Sequence, residues 1–256
     1  MNNVWSLVKK EVRAYFGSPI AYAVMFSFTL LVGYFFYSLV MWFNAQAMQM
    51  AQNPYYAQQV NINEMVFSPL FHNISIVLIF VVPLMTMRLL AEEKKTGTDE
   101  LLYTSPLKVG EIILGKYFAG LILLAVLLSL TAVLSVFVFA LGNPEIMPWL
   151  TGYLGLFLMG AAFIAIGLFY SSLTDNQIVA AVLTLMTLLL FLLLNWVSSL
   201  GSGAAWSRVV TYLSFSEHFE DLTRGIIDTK DIDYYLSVSF FGLFLAHSVL
   251  QSRRWR

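Results

Sequence analysis

The chain lacks cysteine and has few charged residues. Its 256 residues include no Cys, and Asp, Glu, Lys and Arg together make up 11%. The absence of cysteine excludes disulfides, thiol catalysis and thiolate metal sites. A formal net charge of −1 provides no overall basic field, so we expect no nucleic-acid partner. Soluble domains carry about 25% charged residues, so we do not expect this chain to be a soluble domain.

What the sequence has in abundance is apolar residues, at 59% with a mean hydropathy of +0.76. Nearly all of its length lies in apolar runs close to the ~20 residues that cross a bilayer as a helix. We therefore predict an all-α polytopic membrane protein, a single domain over residues 1–256 with six transmembrane helices. The predicted spans are residues 20–42, 74–87, 117–141, 149–170, 178–200 and 234–250.

Lysine and arginine are distributed unevenly between the two sides of these spans. Eleven lie before span one, between spans two and three, and after span six, whereas three lie on the other side. The positive-inside rule places the richer side in the cytoplasm. We therefore predict that both termini and the 88–116 loop are cytoplasmic. Two termini on the same side require an even number of spans, and six agrees with this.

The residues before span one predict a short amphipathic helix. Apolar side chains from Val4 to Phe16 recur at helical spacing, and Gly17-Ser18-Pro19 then breaks the chain. We interpret residues 1–17 as an interfacial elbow helix, either a membrane anchor or a second contact for a cytoplasmic partner. A signal peptide cleaved after Ala47 is the alternative for span one, but its apolar run exceeds the about 7–15 residues of a signal sequence.

Two sizeable loops lie on the predicted outer side. Residues 44–73 predict a continuation of the first helix, which Asn53-Pro54 ends. Residues 201–233 predict a surface amphipathic helix that stops near Gly225 and packs as a lid on the bundle. The nearby acids Asp228, Asp231 and Asp233 follow no defined cation-binding pattern.

No catalytic constellation is present, so we predict that the chain is not an enzyme. The histidines His72, His218 and His247 are far apart in sequence and form no ligand or relay motif. No charged residue lies well inside a span, which disfavours a proton relay or an ion pump. The hydroxyls within the spans are expected to bond backbone or bridge helices. They are Ser129, Thr131, Ser135, Thr184 and Thr187.

One stretch of the sequence partly matches the motif of a phosphate-binding loop. Residues 110–117 match the GxxxxGK pattern, but Tyr117 replaces the Ser or Thr that would hold magnesium, and no strand precedes the motif. We interpret these residues as the amphipathic approach to span three. We expect no cofactor in this chain, and its energy must come from a partner or a gradient.

Residues 88–107 form a charged island between two long apolar stretches. The string Arg88-Leu-Leu-Ala-Glu-Glu-Lys-Lys-Thr-Gly-Thr-Asp-Glu-Leu-Leu-Tyr-Thr-Ser-Pro-Leu107, followed by Glu111-Ile-Ile-Leu-Gly-Lys116, closely resembles the signature of type 2 ABC transporter permeases. The resemblance extends to the elbow helix, to residues 171–177 and to residues 215–228. Within that family, the chain is most similar to the gliding-motility GldF branch, with the NosY permeases as near relatives.

The resemblance implies a permease subunit, an exporter, in the plasma membrane (the bacterial inner membrane). It implies two cytoplasmic ABC ATPase subunits that hold the ATP and Mg²⁺, and a second permease copy or a related subunit. It leaves room for an accessory protein on the outer side, and membrane lipids surround the chain. By this resemblance, the coupling interface with the ATPase is Glu92, Glu93, Lys94, Lys95, Gly97, Thr98, Glu100, Leu101, Leu102 and Pro106. A second cytoplasmic contact is Thr174, Asp175, Asn176 and Gln177.

A different function remains open at this point. The same loop could dock some other cytoplasmic protein on a membrane scaffold or sensor that transports nothing, and an intramembrane enzyme is a third, more distant alternative. The sequence contains no polar cluster that selects a lipid, a polysaccharide, a peptide or a drug.

Overall fold

Every regular element in the described part of the chain is helical. The computed structural model describes residues 2–51, 61–98, 107–200 and 205–254. In chain order, the elements are α1 (Asn2–Phe16), α2 (Pro19–Ala51), a π-helical turn (Asn63–Phe67), α3 (Ser68–Thr86), α4 (Ala91–Lys95), α5 (Val109–Leu141), α6 (Ile146–Leu173), α7 (Gln177–Leu200), α8 (Ala205–Leu213), α9 (Phe215–Thr223) and α10 (Thr229–Arg254).

Six of these helices are long and apolar enough to cross a membrane, which confirms the six predicted spans. They are α2, α3 with the turn before it, α5, α6, α7 and α10. Several begin before the predicted apolar run. In α5 the helix starts at Val109, where the Glu111 carboxylate accepts a hydrogen bond from the Lys108 backbone N–H at 2.9 Å. Such a cap allows helical hydrogen bonding to continue through polar residues that hydropathy leaves out.

Side-chain contacts gather the ends of the long helices into two groups, so the bundle has two ends. The basic end carries α1, α4 and the turn at residues 174–176 between α6 and α7. The opposite end carries the π-helical turn, α8 and α9. At the basic end, Gly17 and Ser18 donate backbone hydrogen bonds back to α1, and Pro19 begins α2. The predicted helix before span one and the break after it are therefore present.

Helix α6 lies at the centre of the bundle and packs against α3, α5, α9 and α10. Glycines let these neighbours approach closely, as is common where membrane helices pack. A Cβ on Gly152 would lie 2.2 Å from the Phe71 ring of α3, and a Cβ on Gly160 would lie 2.6 Å from Leu124 of α5. The close contacts at these two glycines fix α3 and α5 against α6.

At the opposite end, α9 covers the bundle. Phe215, Phe219 and Leu222 are buried, and the Phe215 ring lies 5.1 Å from that of Phe163 in α6. Gly225, with φ of +88°, follows the end of α9. The predicted amphipathic helix that packs as a lid and stops near Gly225 is therefore present.

Candidate functional site at the basic end

The described part of the charged island forms a short helix directly after α3. Leu89, Leu90 and Ala91 are buried, which ties the start of α4 to the bundle. Gly97 has a φ of +69°, the left-handed conformation that commonly ends helices. The Thr96 hydroxyl donates to the Glu92 carbonyl at 2.9 Å and satisfies one of the last carbonyls.

The hydroxyl of Ser171, near the end of α6, holds the start of α4. Its oxygen accepts hydrogen bonds from the backbone N–H groups of Leu90 at 3.0 Å and Ala91 at 3.1 Å, and it donates to the Met87 carbonyl at 3.2 Å. The first N–H groups of a helix have no partner within the helix, so this hydroxyl supplies one. The Lys94 ammonium also donates to the Ser172 carbonyl. The two cytoplasmic contacts predicted from the sequence are therefore neighbours in the structure.

A buried ammonium connects α4 to α1 and α5. Lys116, eight residues into α5, has a side chain only 1% exposed, and its Nζ lies 2.9 Å from Oε1 of Glu11 and 2.9 Å from Oε2 of Glu93. Lys10 adds a longer ion pair of 3.6 Å with the same Glu93. We call Lys116, Glu11 and Glu93 the Lys116 cluster. Moving an ammonium group from water into the protein interior is costly, and two carboxylates at this distance compensate for that cost.

Tyr15 adds a second attachment for α1. Its hydroxyl donates to the Met85 carbonyl of α3 at 3.3 Å. Burial raises the pKa of Tyr15 well above its ordinary value, and the Glu11 carboxylate raises it further. The phenol therefore stays neutral and remains a donor. Helix α1 is thus fixed to both α3 and α5.

The residues predicted for the coupling interface fall into two groups, those exposed to solvent and those partly buried. Glu92, Lys95, Gly97 and Thr98 are exposed, whereas Glu93 and Lys94 are partly buried and bonded within the chain. The remaining predicted residues, Glu100, Leu101, Leu102 and Pro106, lie outside the described residues.

The second predicted contact is a capped turn. Asp175 and Asn176 are exposed, and Thr174 and Gln177 are partly so. The Asn176 Oδ1 accepts a hydrogen bond from the Ile178 N–H at 2.9 Å, the usual role of an N-cap residue. The turn therefore has a fixed shape beside α4.

Sequence reasoning missed Ser171, Glu11 and Lys116 as site residues. The sequence places Lys116 in the amphipathic approach to span three without indicating a partner for it, and the GxxxxGK match around it is helical in the structure. A single lysine followed directly by more than twenty apolar residues was a usable signal, because such a lysine requires an acidic partner if its helix end is covered.

The opposite end holds a pair that the sequence analysis also missed. His218 Nδ1 lies 2.7 Å from Asp231 Oδ1, His218 Nε2 lies 2.9 Å from the Tyr212 carbonyl, and the side chains of His218 and Asp231 are both buried.

The acid Asp228 at the same end is paired with Lys230. Hydrogen bonds from the Lys230 backbone N–H, and then from its ammonium, hold the pKa of Asp228 below its usual value. Within the described ranges, no three His, Cys, Asp or Glu residues form a potential metal site.

Four of the five hydroxyls named inside the spans bond as predicted, whereas the buried Ser135 hydroxyl has no hydrogen-bond partner among the described residues. Thr131 donates to the Leu128 carbonyl and Thr184 to the Ala180 carbonyl. Thr187 of α7 contacts the Tyr170 hydroxyl of α6 at 2.8 Å, which bridges two helices.

These features define a multi-pass membrane protein whose basic end presents a short charged helix and a capped turn side by side. Residues 5–250 match the family described as ABC-2 family transporter protein. The chain therefore belongs to the ABC-2 family of transporter proteins.

Two curated relatives share part of the sequence. Both are named "Probable multidrug ABC transporter permease YbhR", one from Escherichia coli strain K12 and one from Escherichia coli O157:H7. Each is 27% identical over 146 residues, which is 57% of this chain and 39% of the relative. The chain thus matches well under half the length of these relatives.

Proposed function

We propose that the chain is the membrane-spanning permease subunit of an ATP-driven exporter in the plasma membrane, which is the inner membrane of a bacterium. Its basic end faces the cytoplasm, where separate ATPase subunits dock. The observation that supports this proposal most directly is the convergence of α4 and the turn at residues 174–176, joined by the Ser171 hydroxyl. Membership of the ABC-2 family agrees with it.

The docking surface consists of the exposed side chains of α4 and of the neighbouring turn. Glu92, Lys95 and Asp175 are exposed there and carry both signs of charge. Mixed charges of this kind fix the orientation of a partner and speed its association. Glu93 and Lys94 have a different role in this proposal, because they hold α4 on the bundle from the inner side.

The Lys116 cluster transmits the movement. When the ATPases close on ATP, they shift α4, and the ion pair from Glu93 to Lys116 passes this shift to α5. The pair from Lys116 to Glu11 moves α1 with it. Packed helices joined in this way move as rigid bodies, which is how domain motions change access to a transport path.

The ATP and Mg²⁺ belong to the partner in this proposal, since residues 110–117 are part of α5. Two copies of the chain, or this chain and a related subunit, would pair with two ATPases. The relatives' printed name, which includes the words multidrug ABC transporter permease, favours drug-like compounds as the cargo. The GldF and NosY branch, a gliding role and an accessory outer protein remain predictions.

The test is co-purification of this chain with a co-expressed ABC ATPase subunit from the same organism. We would compare the parent with a charge-reversed variant, Glu92→Lys with Lys95→Glu, and with Glu64→Lys as a control. Glu64 is exposed at the opposite end of the bundle. We expect the docking variant to lose the ATPase subunit and the ATP hydrolysis of the complex, while the control keeps both.

Two results would count against the proposal in different ways. If the parent chain recruits no nucleotide-binding subunit, the transporter proposal fails and a scaffold or sensor becomes the better description. If the docking variant keeps a fully active complex, the permease role stands but α4 is not the docking surface.

A further inference from the structure

A cleft of about 380 Å³ opens at the basic end of the bundle. Helices α1 and α2 form one wall, and α3, α4 and α5 form the other. Its volume lies within the roughly 300–1,000 Å³ range of small-molecule sites. The Lys116 cluster lies at its charged end, so the cleft adjoins the attachments of α1 and α4.

The lining of the cleft is charged at one end and apolar along the spans. Lys10, Arg88 and Glu92 line the charged end, whereas Val24 and Leu123 belong to the apolar part. On α5 alone the lining runs from residue 116 to residue 127, which is roughly 16 Å of helix. The cleft therefore has the dimensions and polarity of an amphiphile rather than of a small ion.

The charges in the cleft are not all compensated. The Lys116 ammonium is paired with Glu11 and Glu93, and Lys10 lies 3.6 Å from Glu93. Arg88, in contrast, forms no ion pair with any residue that the structure describes, and its buried Nε has no hydrogen-bond partner. A half-buried guanidinium without an anion is costly, and its planar donors match the oxygens of a phosphate.

We propose that this cleft binds a glycerophospholipid of the surrounding membrane, with the lipid phosphate on Arg88 and one acyl chain along the apolar wall. Ile20 and Leu84 line the cleft and are 48% and 47% exposed, so its apolar part is continuous with the lipid-facing surface. A free phosphate ion would leave that apolar wall without a partner. The second acyl chain remains in the bilayer.

The test measures lipid binding to the delipidated protein in detergent by native mass spectrometry. The probes are dioleoyl phosphatidylglycerol, dioleoylglycerol, which lacks the phosphate, and glycerol 3-phosphate, which lacks the acyl chains. We expect the parent to bind the phospholipid at least tenfold more tightly than either fragment. Arg88→Gln should lose at least tenfold in phospholipid affinity, and Lys9→Gln, a change of an exposed lysine of α1 outside the cleft, should lose none.

A second variant tests the apolar wall without touching the arginine. Ala21 lines the cleft, and Ala21→Phe would fill part of its volume. We expect this variant to bind the phospholipid weakly as well, with an unchanged elution volume in gel filtration. Equal phospholipid binding by the parent and Arg88→Gln would overturn the proposal. So would equal affinity for dioleoylglycerol, or glycerol 3-phosphate binding as tightly as the complete lipid.

Discussion

The Lys116 ammonium lies 2.9 Å from a Glu93 carboxylate oxygen, and this contact joins a transmembrane helix to the short helix that follows another one. The Lys116 side chain is buried, and the Glu93 side chain is mostly buried. In a chain with so few charges, an ion pair at this position links the surface proposed for docking to the bundle. The stability of that link can be measured.

Replacing Lys116 with methionine should destabilise the protein. The change leaves the Glu11 carboxylate without its cation, and Glu93 keeps only its longer ion pair with Lys10. Breaking a fully buried pair costs about 3–5 kcal/mol, and the cost here should be smaller, about 2 kcal/mol or more, because both carboxylates keep some contact with solvent. Thermal unfolding in detergent would measure it.

The matched control is Lys95→Met, which removes an exposed lysine from the same end of the bundle and should change the unfolding midpoint little. Adding Glu11→Gln and Glu93→Gln to Lys116→Met should recover part of the lost stability, because no buried charge is then left alone. An unfolding midpoint for Lys116→Met equal to that of the parent would show that the cluster contributes nothing.

The Ser171 hydroxyl should control how firmly α4 is held. Ser171→Ala leaves the N–H groups of Leu90 and Ala91 without a partner, and each such loss costs about 1–3 kcal/mol when the group stays buried. We expect faster amide hydrogen exchange in residues 90–95. Ser172→Ala is the control, because the Ser172 hydroxyl donates only within its own helix, to the Phe169 carbonyl at 2.6 Å. Similar exchange in the two variants would contradict the assignment.

The sequence was sufficient for the six spans, the helix before span one and the lid helix α9. Each of these depends on a local pattern, either an apolar run or a helical repeat of apolar residues, and in a membrane the helix is the main structure that such a run can adopt. The Lys116 cluster could not be found in this way. Glu11 and Lys116 are 105 positions apart, and no local pattern states which helices are neighbours.

The same limit applies to the α4 site. The resemblance to known permeases indicated which residues lie near a partner, but it did not separate those that face outward from those that bond inward. Lys94 and Lys95 are adjacent in sequence, yet only Lys94 reaches the Ser172 carbonyl. That difference arises from the direction of each side chain on a helix of five residues, which depends on how α4 sits against α6.

Close packing between α3 and α6 should make Gly167 intolerant of a side chain. A Cβ there would lie 2.1 Å from the Thr86 hydroxyl oxygen, which is itself bonded to the Val82 carbonyl. We expect Gly167→Ala to destabilise the protein by about 1–3 kcal/mol, since the two helices must separate or Thr86 must move. Thermal unfolding in detergent would measure the loss. A Cβ on Gly33 of α2 would meet nothing within 4 Å, so Gly33→Ala should not destabilise. Equal losses in both variants would contradict the packing argument.

His218 should stabilise the opposite end mainly through its two hydrogen bonds. His218→Phe keeps a flat ring that can stack on Tyr234, whose ring lies 4.1 Å away at 19°, but it removes the bonds to Asp231 and to the Tyr212 carbonyl. Asp231 is fully buried, and its other oxygen has no hydrogen-bond partner. We expect a loss of about 2 kcal/mol or more in thermal unfolding, because a buried carboxylate is left without its donor. His247→Phe is the control, since His247 is partly exposed and makes no hydrogen bond within the described ranges. If both variants unfold at the parent's temperature, the hydrogen bonds of His218 do not hold α10 to α9 and α8, and aromatic packing alone accounts for the contact.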